Sequence, residues 1–84
     1  MNKEILLHNI EIIRQYLNMS GAEFSKIFGK ENSYYRACRK RNSIPDLDFI
    51  VKMCKYCHIN LERFLNEKLK INLAFENDYD LKVR

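Results

Sequence analysis

The chain has 84 residues, 46% of them hydrophobic, which is enough for one compact domain and no more. No apolar stretch approaches the roughly 20 residues of a membrane span, and the first residues include an acid, so we expect a cytoplasmic protein without a signal peptide. The odd number of cysteines, three, argues against a disulfide framework.

The net charge of +4 is concentrated in one part of the sequence. Residues 30–41 hold five cations and one acid, whereas the remaining cations and acids cancel at ten each. A basic segment on an otherwise balanced chain is typical of a surface that binds a polyanion. An ordinary solvated basic face is the alternative.

The first predicted helix covers about residues 3–17, because apolar residues recur along it at helical spacing. This apolar stripe consists of Leu6, Ile10, Ile13 and Leu17. A second, shorter helix is predicted to begin at Ser20, which forms an S-x-x-E capping box with Glu23. Gly29 is predicted to end this helix with a positive φ. The buried face of the second helix is predicted at Phe24, Ile27 and Phe28.

A tight turn leads to a third predicted helix at about residues 32–40. Tyr35 and Cys38, three residues apart, are its predicted inward positions. Pro45 excludes any helical continuation, because proline lacks an amide donor and clashes with the preceding turn. The side chains predicted to face outward are Asn32, Ser33, Tyr34, Arg36, Arg39 and Lys40.

Asp46 is predicted to cap a fourth helix that extends to about Cys57, and Asn60 to cap a fifth. From about residue 69 to 83, apolar and polar residues alternate on both sides of a short polar turn, which predicts a β-hairpin. The expected fold class is therefore mainly α, with a five-helix domain over residues 1–68 and a C-terminal hairpin over residues 69–84. The apolar stripe predicted for the fourth helix is Leu47, Ile50, Met53, Cys54 and Cys57.

A capped short helix, a glycine turn and a second short helix with a basic outer face form a helix-turn-helix candidate. Between about residues 10 and 65, the chain resembles the Cro and phage-repressor family, also called the xenobiotic-response-element family, without a gap. The matching positions are Ile10, Ile13, Arg14, Met19, Ser20, Phe24, Phe28, Gly29, Pro45, Leu47 to Cys57, Ile59, Leu61 and Phe64. The departures are Gly21 for the family's glutamine, Ser25 for a small alanine, Lys30 for an apolar residue and Arg39-Lys40-Arg41 for Glu-x-Gly.

This resemblance implies a repressor-like helix-turn-helix domain that binds double-stranded DNA and regulates transcription, with a repressor as the expected type. The third helix would lie in the major groove, and the backbone contacts would set affinity. The hairpin is the predicted contact of a homodimer, whose half-sites would lie about 34–36 Å apart. The implied base-reading residues are Asn32, Ser33, Tyr34 and Arg36. The implied backbone contacts are Ser20, Arg39, Lys40, Arg41 and Asn42.

The alternative function is a protein-interaction module on the same fold, such as an antitoxin or a phage-encoded inhibitor of a host defence protein. The segment from Cys54 to His58 matches the C-x-x-C-H signature of haem attachment, but both sulfurs fall on the predicted apolar stripe, which favours packing. Adding Cys38 gives a three-thiolate zinc candidate without a defined fourth ligand. We therefore predict no metal, no cofactor and no catalytic residue, and hence no enzyme activity.

Overall fold

A computed structural model of the protein describes residues 2–69, and these residues form five α-helices and no strand. The described part of the chain is thus mainly helical, as predicted. The hairpin predicted at about residues 69–83 lies outside the described residues, apart from Leu69. Within residues 2–69, no helix has the length and apolar character needed to cross a membrane. The helices are α1 (Lys3–Tyr16), α2 (Gly21–Ile27), α3 (Tyr34–Arg41), α4 (Leu47–Cys57) and α5 (Leu61–Asn66).

The predicted caps set most of the helix ends. Ser20 and Glu23 form both hydrogen bonds of the capping box at the start of α2. Asp46 and Asn60 cap α4 and α5, since each side chain accepts a hydrogen bond from the backbone amide three residues further on. Gly29 follows α2 with a φ of +86°, a left-handed conformation that glycine adopts readily. These local interactions explain why four predicted boundaries are confirmed to within a residue or two.

An aromatic cluster that joins α2, α3 and α4 forms the centre of the core. Phe24 is fully buried, and its ring meets three others edge to face at centroid distances of 5.3, 5.0 and 5.5 Å. Such ring pairs contribute about 0.5–1.5 kcal/mol each beyond the burial of their surface. The cluster therefore fixes α3 against the two helices beneath it. The three partner rings are those of Phe28, Tyr35 and Phe49.

Two apolar residues that were predicted to be buried lie at the surface: Ile27 is 43% exposed and Leu47 is 64% exposed. On α2, Phe24 and Phe28 lie one turn apart on the inner face, and Ile27 falls beside that stripe. Leu47 is the first residue of α4, and because helical side chains lean toward the N-terminus, it extends past the core. Phe49, which the predicted stripe omitted, is fully buried instead.

The predicted start of α3 is also wrong by two residues. The helix begins at Tyr34, so Asn32 and Ser33 lie in the turn that precedes it. Its inward positions are confirmed, because Tyr35 and Cys38 are 4% and 3% exposed. The turn residues remain next to the N-terminus of α3 and are exposed.

Asn9 is a polar residue of α1 that is completely buried. Its side-chain nitrogen donates to the carbonyl oxygens of Phe64 and Glu67 at 2.8 and 2.7 Å. Its side-chain oxygen accepts from the amide of Leu69 at 2.8 Å. One side chain of α1 therefore forms hydrogen bonds with three backbone groups at the end of α5, where backbone groups lack hydrogen-bond partners within the helix.

Candidate functional site

The N-terminus of α3 is capped by a side chain of the neighbouring helix α2. Ser33 occupies the N-cap position of α3 but makes no side-chain capping bond. Instead, the buried hydroxyl of Ser25 accepts from the Tyr35 amide at 2.9 Å and donates to the Gly21 carbonyl at 2.8 Å. Because an unsatisfied amide between packed helices costs free energy, this hydroxyl holds α3 in place against α2.

Replacing Ser25 with alanine is expected to lower the free energy of unfolding by about 1–2 kcal/mol, because the Tyr35 amide loses its acceptor. Urea unfolding followed by circular dichroism measures this loss. Ser33→Ala is the matched control, and we expect a change of less than about 0.5 kcal/mol because Ser33 makes no capping bond. Equal losses in the two variants would contradict the assignment of the cap to Ser25.

The outer side of α3 carries four cations, which we call the basic α3 surface: Arg36, Arg39, Lys40 and Arg41. All four residues are exposed. Three of them, Arg36, Lys40 and Arg41, form no ion pair with any residue between 2 and 69. Charges without a partner on a well-packed helix are available to a polyanion. The other exposed residues predicted to contact DNA from the two ends of α3 are Asn32, Ser33 and Asn42.

Arg39 differs from the other three cations because it faces Glu11 on α1, with Nη1 3.7 Å from Oε1. The Glu11 carboxylate also accepts from the Arg14 guanidinium at 3.0 and 2.6 Å and from the Tyr35 hydroxyl at 2.6 Å. The hydrogen bonds from Arg14 above all, against the opposing effect of partial burial, lower the pKa of Glu11 to about 2. The carboxylate is therefore charged throughout the neutral range, and it links α1 to α3.

Tyr34 and Lys30 are engaged with the start of α4. The Tyr34 hydroxyl accepts from the Asp46 amide at 2.8 Å, and its ring lies 5.3 Å from that of Phe49. Lys30 forms an ion pair with the Asp46 carboxylate and lies 5.1 Å from the centre of the Tyr34 ring. One of the five cations in the basic segment is therefore neutralised within the chain. Tyr34 is half-buried against the core, and its contact with a base stays a prediction.

Ser20, predicted to hold a phosphate, is occupied by the capping box. Its oxygen accepts from the Glu23 amide at 3.1 Å, and its amide donates to the Glu23 carboxylate at 2.8 Å. A carboxylate at the start of α2 repels a phosphate, so this geometry does not favour the predicted contact. The adjacent Gly21 has room for a Cβ, which would lie 3.8 Å from the nearest atom, a ring carbon of Tyr35.

The three cysteines are buried and form no disulfide with one another. Burial raises the pKa of Cys54 to about 12 and that of Cys57 to about 11, so both thiols stay protonated at neutral pH. Their place in the core supports the packing interpretation over haem attachment. In the part of the chain that the structure describes, no three histidine, cysteine or acidic side chains lie together as a metal site would require.

Sequence reasoning missed two residues of this site, Glu11 and Ser25. Glu11 lies three residues before Arg14, a spacing at which opposite charges pair on a helix, so that ion pair was open to prediction. Its contact with Tyr35 spans 24 residues and had no local signal. In the sequence, Ser25 differs from the alanine of the resembled family, and no local pattern indicates its contact with Tyr35, ten residues away.

Comparison with known proteins gives no match: no family model, no curated protein and no solved structure matches this chain. The likeness to the Cro and phage-repressor family therefore stays a prediction.

Proposed function

We propose that this protein is a transcriptional regulator that inserts α3 into the major groove of double-stranded DNA. The supporting observation is that Arg36, Lys40 and Arg41 project from a helix held by buried contacts and have no ion-pair partner among residues 2–69. The major groove admits an α-helix, and phosphates line both of its edges. In this proposal α2, the Gly29 turn and α3 form the helix-turn-helix of a repressor-like domain.

The two ends of α3 have different roles in this proposal. At the N-terminal end, Arg36 and Asn32 read base edges, since arginine pairs bidentately with guanine and asparagine with adenine. Ser33, whose hydroxyl makes no capping bond, lies beside them. At the C-terminal end, Lys40, Arg41 and Asn42 contact phosphates and supply affinity without sequence preference.

The length of α3 favours two copies on one operator. Its eight residues make a helix about 12 Å long, at about 1.5 Å per residue, so one copy spans only a few base pairs. A two-fold dimer doubles the contacted sequence and places its half-sites about 34–36 Å apart. Duplexes selected by the protein from a random library are therefore expected to contain an inverted repeat.

Replacing Arg41 with alanine is expected to weaken binding equally for selected and scrambled duplexes and to reduce the salt slope of log K by about 1, because one phosphate contact is lost. Replacing Arg36 with alanine is expected to cost about 1–3 kcal/mol on the selected duplex and to relax the choice of base at one position. Fluorescence anisotropy over a range of salt concentrations measures both effects.

Lys55→Ala is the control for these two variants, because Lys55 is an exposed cation of α4 rather than of α3. It removes the same net charge and is expected to leave the salt slope within a few tenths of the wild-type value. The proposed function fails if the wild-type protein binds no duplex, or binds with no dependence on salt. It also fails if Lys55→Ala reduces the slope as much as Arg41→Ala.

A further inference from the structure

Glu11 is an acidic residue that lies against the basic α3 surface from another helix. Its Oε1 accepts from the Tyr35 hydroxyl at 2.6 Å and lies 3.7 Å from Nη1 of Arg39. The side chain of Glu11 is 20% exposed and that of Arg39 is 49% exposed, so the pair lies at the edge of the surface. The remaining contacts of the carboxylate are with Arg14 and Gln15 on its own helix.

The contacts of the Glu11 carboxylate differ in length and therefore in strength. Those with Arg14 and Tyr35 are short charge-assisted hydrogen bonds, whereas 3.7 Å is too long for a hydrogen bond to Arg39. Glu11 is therefore satisfied without Arg39, while Arg39 has no other ionic partner among residues 2–69. Arg39 can therefore pair either with this carboxylate or with a DNA phosphate. The Glu11 carboxylate stays charged in both cases.

We infer that Glu11 is a positioning residue that withholds Arg39 from DNA phosphates and so limits binding to duplexes of any sequence. This inference rests on the proposed function. A fixed negative charge beside the basic α3 surface lowers the phosphate-driven affinity that all sequences share. The Glu11 charge does not affect the base contacts that Arg36 makes at the other end of α3. Glu11 thereby lowers the affinity for duplexes of every sequence and leaves the choice of sequence to the base contacts of α3.

The test is Glu11→Gln, which keeps the length of the side chain and an acceptor for Tyr35 but removes the charge. We expect Arg39 to gain one phosphate contact, so the salt slope steepens by about 0.9 and affinity for a scrambled duplex rises roughly 5- to 10-fold at 0.1 M salt. The gain on a selected duplex is expected to be no larger. Glu11→Asp, which keeps the charge, is the control and should retain the wild-type slope.

A double-mutant cycle with Arg39→Gln separates this effect from general loosening of the fold. In the Arg39→Gln background, the further change Glu11→Gln is expected to leave the slope unchanged, because Arg39 is absent and Arg14 is still held by its hydrogen bond to the Met19 carbonyl. Glu11→Ala provides a second uncharged variant. Circular dichroism shows whether Glu11→Gln and Glu11→Ala are folded, and a folded one is used for the test. A folded, uncharged variant with the wild-type slope overturns the inference while the proposed function stands. Equal slopes for Glu11→Asp and Glu11→Gln overturn it too, and a wild-type protein that binds no duplex overturns both.

Discussion

Replacing Phe24 with alanine is expected to lower the free energy of unfolding by about 3–5 kcal/mol. Phe24 is fully buried, and its ring contacts three other rings: that of Phe28, which follows α2, that of Tyr35 on α3 and that of Phe49 on α4. Removal of the ring leaves a cavity where these helices meet. A domain of this size has a total stability of about 5–15 kcal/mol, so the variant is expected to be partly unfolded at 37 °C.

Urea unfolding of two companion variants tests the origin of this loss. Phe24→Leu keeps most of the apolar volume but no ring contact, and we expect a smaller cost of about 1–2 kcal/mol. Ile27 lies on the same helix as Phe24 but is 43% exposed, so Ile27→Ala is expected to cost less than about 1 kcal/mol. If Phe24→Ala and Ile27→Ala were equally stable, the aromatic cluster would not be the centre of the core.

Most ends of the helices, the start of α3 excepted, could be predicted from sequence because their causes are local. Ser20 and Asp46 each accept from an amide three residues further along the chain, and such contacts are visible in the order of the residues. The exposure of Arg36 and Lys40 followed from the same kind of argument. Once Tyr35 and Cys38 are placed inward, helical geometry places those cations outward.

The inner face of α4 could not be predicted with the same certainty. Eight of its eleven residues are apolar, so more than one stripe fits the helical period. Packing against α2 selects the face that carries Phe49, whose ring meets those of Phe24 and Phe28. Leu47 is left at the surface by that choice, which depends on a partner helix and not on α4 itself.

The partners of the charged residues were beyond sequence reasoning for a similar reason. Lys30 pairs with an acid 16 residues away, and the Tyr35 hydroxyl bonds to one 24 residues away. In the sequence, Lys30 and Arg41 contribute equally to the net charge of the basic segment. The fold makes them different, because it brings Asp46 to Lys30 and no acid among residues 2–69 to Arg41.

Asn9 is the clearest case of a long-range contact, and its replacement by aspartate is the second large effect that we expect. The change conserves shape, but a carboxylate has no proton to donate and would face two carbonyl oxygens, those of Phe64 and Glu67. Leaving these buried groups unsatisfied is expected to lower the free energy of unfolding by about 3–5 kcal/mol at pH 7.

The pH dependence of this loss identifies its cause. Burial raises the pKa of a carboxyl group at this position, so the loss is smallest at low pH, where the group is protonated in both states and can donate to one of the two carbonyl oxygens. The loss increases as the pH rises and the group ionises. The deficit relative to wild type is therefore expected to grow between about pH 4 and pH 7. Asn66→Asp, the same change at the exposed last residue of α5, is expected to cost no more than about 1 kcal/mol at pH 7, because solvent screens the new charge at the helix C-terminus.

Hydrogen exchange locates the damage within the fold. In the wild-type protein, the Leu69 amide donates to Asn9, and Leu69 is 3% exposed, so its exchange should be slow. A carboxylate at position 9 can still accept from this amide, whereas alanine cannot. We therefore expect the Leu69 amide of Asn9→Ala to exchange faster than its loss of global stability alone would explain. In Asn9→Asp, the exchange rate of this amide is expected to change only as much as global stability does. Identical exchange at Leu69 in variants of matched stability would show that Asn9 does not hold the end of α5 to α1.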